Sequence, residues 1–220
     1  MPTETVENYI KAIYHLSGKG DGKVNTNAIS DHLGTKAATV SDMLKKLAGY
    51  GLIKYKPYQP VQLTDKGKKM AVGIIRKHRL WEVFLVEKLG FGWDEVHEIA
   101  EDLEHIKSEK LINQLDEFLG KPRFDPHGDP IPDKDGNIQG KAQQPLSELV
   151  EGQKGQVTGV RDSSQVFLQF LDAQGIGLGT VILVKSIYEY DQSRKVEYRG
   201  NAISLSNQVC KNIYVQTIES

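Results

Sequence analysis

Residues 26–47, TNAISDHLGTKAATVSDMLKKL, read as a short helix, a tight turn and a longer helix. Thr26 to Leu33 forms the first segment, and Gly34 ends it. From Thr35 onward Val40, Met43, Leu44 and Leu47 fall on one stripe, and Gly49 and Gly51 close the segment. This is the helix-turn-helix pattern. In such a unit the second helix enters the DNA major groove with its N-terminal side chains leading. Lys36, Ala38, Thr39, Ser41 and Asp42 are therefore the candidate base-reading residues.

The flanks extend that reading. Upstream, ETVENYIKAIYHLS (4–17) places Val6, Tyr9, Ile10, Ile13, Tyr14 and Leu16 at helical spacing, and Gly18, Gly20 and Gly22 follow. Downstream, Leu52–Lys56 and Val61–Thr64 are short β-prone runs around Pro57 and Pro60, which predicts a hairpin wing. Residues 36–69 carry eight lysines against Asp42 and Asp65, a charge of +6. Lys45 and Lys46, with Lys54 and Lys56 of the wing, are placed to meet phosphates, which gives salt-dependent affinity rather than sequence choice. The wing lacks the exposed aromatic pair of an RNA-stacking platform, so double-stranded DNA is the expected partner.

The next segment has the opposite charge. Residues 85–120 hold ten acids against three lysines, a charge of −7, and the pattern is helical from Lys66 to about Gly120 with a break at Gly90–Gly92. On one helix His97, Glu101, Glu104 and His105 would stand at i, i+4, i+7 and i+8 and share a face. His78 and Glu82 repeat the i, i+4 spacing upstream, so three of the six histidines lie in this set. Imidazoles and carboxylates crowded together call for a cation. Nitrogen and oxygen donors without thiolate suit Mn²⁺, Fe²⁺, Co²⁺ or Zn²⁺.

Residues 121–145, dense in Pro, Gly, Asp and Lys, read as a linker or a long ordered loop. After Pro145 the runs VTGV, VFLQFL, TVILVKSIYEY, KVEYRG, AISLS and NIYVQTI predict a small antiparallel barrel of about five strands. That module is a ligand donor, a protein-interaction domain or a spacer. No apolar run approaches the roughly 18 residues of a membrane helix. The N-terminus lacks the basic start and apolar core of a secretory signal, and one cysteine, Cys210, excludes an internal disulfide. A reducing cytoplasm is the expected location, with no membrane and no small-molecule substrate as partner.

The order of these parts is specific. A winged helix is followed by Arg76-Lys77-His78-Arg79-Leu80-Trp81-Glu82, Val96-His97-Glu98, Glu104-His105, Pro126-His127-Gly128-Asp129-Pro130-Ile131-Pro132 and a β module. Across essentially its whole length the chain resembles the diphtheria-toxin-repressor and manganese-transport-regulator family. The resemblance implies an α+β multidomain homodimer: a winged helix-turn-helix DNA-binding domain (1–70), a helical metal-binding and dimerisation domain with its linker (71–140), and an SH3-like β domain (145–220). It implies one metal centre at His78, Glu82 and His97, completed by Asp162 and Gln165, and a second at Glu101, Glu104 and His105 with Asn8 from the first helix. The Glu101 position is Cys in the iron-responsive branch and a carboxylate in the manganese-responsive one. Asn8 stands where the branches have Met or Asp, and Lys11 replaces an acidic ligand of the manganese branch.

The expected function is a metal-dependent repressor. It would carry two divalent ions per subunit, Mn²⁺ in preference to Fe²⁺, and bind a palindromic operator at metal-uptake genes. Two rivals use the same residues differently: a metal-dependent hydrolase at the His/Glu cluster, and a metal-independent winged-helix regulator with that cluster as a solvated face.

Overall fold

A computed structural model of the chain describes residues 3–57, 59–140 and 143–218. Their contacts divide into two compact units. The first takes the described residues of Met1–His78, Glu101–Asn113 and Pro132–Asn137; the second takes those of Arg79–Ala100, Gln114–Ile131 and Ile138–Ser220.

The first unit opens with α1 (Glu4–Leu16), whose first turn is capped by the Thr3 hydroxyl accepting from the Val6 N–H at 3.4 Å. α2 (Thr26–His32) and α3 (Ala37–Gly49) follow. Their tight turn is closed by the Thr35 N–H donating to the Ser30 carbonyl at 3.1 Å. β1 (Ile53–Lys54) and β2 (Gln62–Leu63) pair antiparallel, Ile53 opposite Leu63, and form the wing. Val6, Ile10 and Ile13 of α1, Ile29 of α2, Val40, Leu44 and Leu47 of α3, and Leu52, Val61 and Leu63 of the wing make one buried core. The helix-turn-helix and wing are therefore held by the apolar stripes that the sequence predicts.

Three more helices, α4 (Asp65–Leu89), α5 (Val96–Leu103) and α6 (Glu109–Phe118), contribute residues to both units. α5 ends before Glu104 and His105, which lie in the turn beyond it. The four side chains therefore do not share one helical stripe, as their spacing predicts. Ser108 starts α6 by accepting from the Leu111 N–H at 3.3 Å. No helix among the described residues is long and apolar enough to cross a membrane.

The second unit contains a six-stranded antiparallel sheet in the order β3-β8-β4-β5-β6-β7. Its strands are β3 (Gln144–Pro145), β4 (Lys154–Val160), β5 (Val181–Ile187), β6 (Arg194–Tyr198), β7 (Asn201–Leu205) and β8 (Ile213–Ile218). Two helices join them, α7 (Gln165–Gln174) and α8 (Asn207–Asn212). The core takes Val157, Ile182, Val184, Val196 and Val215 from the strands and Leu168 and Leu171 from α7.

Six strands replace the five expected, and one expected strand is a helix. The run VFLQFL lies inside α7, where Leu168 and Leu171 are buried at helical spacing while Val166 is 80% exposed. Gly175 stops that helix in the left-handed conformation at φ 69°, a C-terminal cap that glycine adopts without a Cβ penalty. β-branched and aromatic content suggested a strand; the period of burial makes a helix.

The segment 121–131 is an ordered loop. The Asp125 carboxylate accepts from the backbone N–H of His127 and of Asp129, each at 2.9 Å. Gly128 sits at φ 87°, and a Cβ there would overlap the Thr158 carbonyl and the Gly159 Cα. Replacing Gly128 with Ala is expected to lower stability by about 1–3 kcal/mol. Gly140→Ala, where a Cβ meets nothing within 4 Å, serves as the control. Thermal denaturation of the two variants checks this, and equal melting points would contradict it.

Candidate metal centres

α1 has two faces. Val6, Ile10 and Ile13 enter the core, and Glu7, Asn8 and Lys11 lie on the turns between them. Within the first unit this polar face meets the segment that ends α5. The Lys11 ammonium lies 2.6 Å from Glu101 Oε1 and 2.8 and 2.7 Å from the two oxygens of Glu104. His78 Nδ1 is 2.7 Å from Glu104 Oε2, and His105 Nδ1 is 2.6 Å from Glu7 Oε2.

The Glu104 side chain is fully buried. Burial alone would raise its pKa, but the hydrogen bond with His78 and the charge of Lys11 outweigh that and hold it below the usual carboxylate range. Asn8 Oδ1 is buried and has no hydrogen-bond partner. A buried acceptor left unpaired costs about 1–3 kcal/mol. Beside Glu7 and one turn before Lys11, it is an oxygen donor available to a cation. Carboxylates, imidazoles and an amide oxygen without thiol fit a hard or borderline divalent ion.

A separate group lies within the second unit. Glu82, Asp125 and His127 are buried, and each offers a ligand atom within 4.8 Å of the others. His97, half exposed, places Nδ1 3.4 Å from Glu82 Oε1, and His127 places Nδ1 3.5 Å from the same oxygen. Burial, reinforced by the charge of Glu82, pushes the Asp125 carboxyl up to about 7. Burial works against charge on His127, but the Glu82 carboxylate prevails and raises it to about 9.

Several groups fix this loop. Arg79 reaches Asp125 at 3.4 Å and Asp129 at 3.1 Å, and donates to the Pro130 carbonyl at 2.6 Å. His127 Nε2 lies 2.7 Å from the Trp93 carbonyl, and the two rings stack at 6.2 Å. Trp93 in turn donates from Nε1 to Asp172 of α7 at 2.9 Å. The sheet-bearing half of this unit thus helps to place an imidazole of the site.

Glu101, Glu104 and His105 are brought to α1, and His78 joins them through Glu104. Glu82 and His97 are together. Asp162 accepts from the Ser164 N–H at 2.9 Å just before α7, and Gln165 is the exposed first residue of that helix. Glu7 and Asp125 are site residues that the motifs do not name, and His127 stands in the Pro126–Pro132 motif without a ligand role. The available signal was an acid and a histidine two residues apart in Asp125-Pro126-His127, within a stretch whose Pro and Gly content reads as connector.

On α3 and its N-cap, Lys36, Ala38, Thr39, Asp42, Lys45 and Lys46 are exposed, as are Lys54 and Lys56 of the wing. Ser41 is half buried and donates to the Ala37 carbonyl at 3.0 Å. Asp42 pairs with Lys45 at 2.9 Å.

Known proteins share this plan. The iron dependent repressor N-terminal DNA binding domain matches residues 1–61, its metal binding and dimerisation domain residues 64–133, and the FeoA domain residues 144–217. The iron-dependent repressor IdeR of Mycobacterium tuberculosis is 31% identical over 189 residues, 86% of this chain and 74% of the relative. The chain belongs to the iron-dependent, diphtheria-toxin-repressor family. The diphtheria toxin repressor of Corynebacterium glutamicum is 27% identical over 227 residues, covering 98% of this chain and 97% of that one. A solved manganese-dependent transcriptional repressor in complex with manganese is 34% identical, with a TM-score of 0.85 over 97% of this chain and 100% of its own. These family members are metal-dependent transcriptional repressors rather than enzymes, with an α+β fold of winged helix, helical dimerisation domain and SH3-like β domain.

The charge on His127 makes a pH prediction for the metal-free repressor. Its pKa is raised on folding, so the stability it contributes is complete below about 6.5, the unfolded value, and is lost as pH rises toward 9. The melting temperature is expected to fall between pH 7 and 9, and His127→Gln to flatten that fall. An unchanged slope in the variant contradicts the assignment.

Proposed function

We propose that this family member is a repressor loaded by two divalent ions per subunit, Mn²⁺ in preference to Fe²⁺, and that the loaded homodimer binds a palindromic operator at metal-uptake genes. Residues 1–70 read DNA, 71–140 take metal and hold the dimer, and 145–220 form the β domain.

One observation carries the reading. α1 has its apolar face in the same core as α3, and its polar face on Glu101, Glu104 and His105. Anything that changes the hold on that polar face is transmitted through packed side chains to the helix that presents Thr39 and Lys36. A bound ion supplies positive charge shared among these donors. Glu104, His105, Glu101 and Asn8 are the donors of the centre in the first unit, called the first centre from here on, and His78, which the resemblance assigns to the other centre, orients Glu104 there. Glu82, His97, Asp125 and His127 are those of the second, with Asp162 and Gln165 as the donors offered by the β domain. Manganese preference is supported by the absence of thiolate and the presence of carboxylates in both sets.

Metal and DNA then select the same conformation, so each tightens the other. Dimeric readers of this type place their recognition helices one DNA turn, about 34 Å, or a multiple apart, and the dimer's two-fold symmetry matches a palindromic target.

Two predictions test the proposal by fluorescence anisotropy on a palindromic operator. Mn²⁺ should be required for tight binding, and Glu104→Gln or His105→Ala should lose at least about tenfold in metal-stimulated affinity. Variants that bind operator as the parent does, with or without metal, would place the switch elsewhere. On the DNA face, Lys45→Ala or Lys54→Ala should weaken binding on all sequences and reduce the salt slope by about one ion each, whereas Thr39→Ala should change base preference. A sequence-selective loss from the lysine variants would contradict these roles.

A further inference from the structure

The first centre contains a cation of its own. Lys11 Nζ contacts three carboxylate oxygens of Glu101 and Glu104 at 2.6–2.8 Å. Its side chain is only 14% exposed and that of Glu104 not at all, so this is no loose surface pair. The oxygens it holds are those that a divalent ion at Glu101 and Glu104 would need. With neutral imidazoles, the three carboxylates Glu7, Glu101 and Glu104 against Lys11 and against Lys77, which faces Glu7 and Glu104, leave a charge of one negative, so a single divalent ion already takes the cluster past neutrality. A second divalent ion would make the cluster strongly positive in a poorly solvated place.

We infer that Lys11 is a tethered cation of this centre: it holds Glu101 and Glu104 in the metal-free chain, restricts the cluster to one divalent ion, and sets the metal threshold because it must release carboxylate oxygens when that ion binds. The inference rests on the metal reading above. It explains how a buried carboxylate such as Glu104 is accommodated before metal arrives. It also makes α1 engaged in the metal-free state, so that metal exchanges one cation for another at these carboxylates rather than creating a contact from nothing. Lys11 is thereby a determinant of metal sensitivity and stoichiometry, not a ligand.

The test is manganese binding by the full chain carrying Glu82→Gln, which weakens the second centre. Calorimetry and the electron paramagnetic resonance of free Mn²⁺ are the readouts. Lys11→Gln should tighten manganese binding by at least about tenfold, the effect of removing a like charge from a partly buried site. Lys11→Arg, which keeps the charge, should bind no tighter than its parent. Lys11→Glu should take up one additional ion per chain. A second measurement needs no variant: acetylation of Lys11 in the unaltered protein, followed by mass spectrometry, should rise when Mn²⁺ is added, while that of exposed Lys45 stays constant. Lys11→Gln binding manganese no tighter than its parent, Lys11→Glu with unchanged stoichiometry, or Lys11 acetylation that fails to rise would each overturn the tethered cation. Absence of manganese binding by the unaltered protein would overturn the metal reading itself, and is distinguishable from all of these.

Discussion

A fully buried glutamate held between an ammonium and an imidazole is the constraint on which the first unit depends. Breaking a buried ion pair by removing one partner costs about 3–5 kcal/mol, so Glu104 is committed to Lys11 and His78 or to a cation in their stead. Because Lys11 is on α1, that commitment also fixes a helix whose other side is in the core of the DNA-reading unit. Electrostatic demand at one end of the unit and hydrophobic packing at the other are joined by one short, capped helix. In the proposed reading, metal-dependent control of DNA binding runs through that connection.

The second unit solves a related problem differently. Glu82, Asp125 and His127 are buried together, and protonation carries the balance: Asp125 is pushed toward its neutral form while His127 is held charged by Glu82. Arg79 spans Asp125 and Asp129, Trp93 stacks on His127, and Asp172 of α7 holds Trp93. The loop that carries these groups is seated by Gly128 against β4, where no side chain has room. A β domain that looks like an accessory in sequence thus contributes, through Asp172, to the placement of an imidazole.

The legible parts of the sequence were those with strong periodicity or strong chemistry. Val40, Leu44 and Leu47 announce α3, the lysines from 36 to 56 announce a basic DNA-binding domain, and Glu101, Glu104 and His105 announce the acid-and-imidazole cluster that gathers at α1. What escaped was decided by tertiary context. Gly175 and the inward-facing pair Leu168 and Leu171 make α7 a helix despite its β-prone residues. The turn after Leu103 lifts Glu104 and His105 off the helical stripe while still delivering them to α1. Asp125 and His127 were hidden in a loop whose composition suggests a connector, because the hydrogen bonds that order it come from one carboxylate to two backbone amides and cannot be read from composition.

Anomalous diffraction at the manganese edge from crystals of the metal-loaded chain tests the central claim most directly. The account predicts a single manganese peak in the first unit, in contact with Glu104, His105 and Asn8 Oδ1, with the Lys11 ammonium withdrawn from at least one carboxylate. Manganese bound nowhere near Glu104, or present there with every Lys11 contact intact, would contradict it.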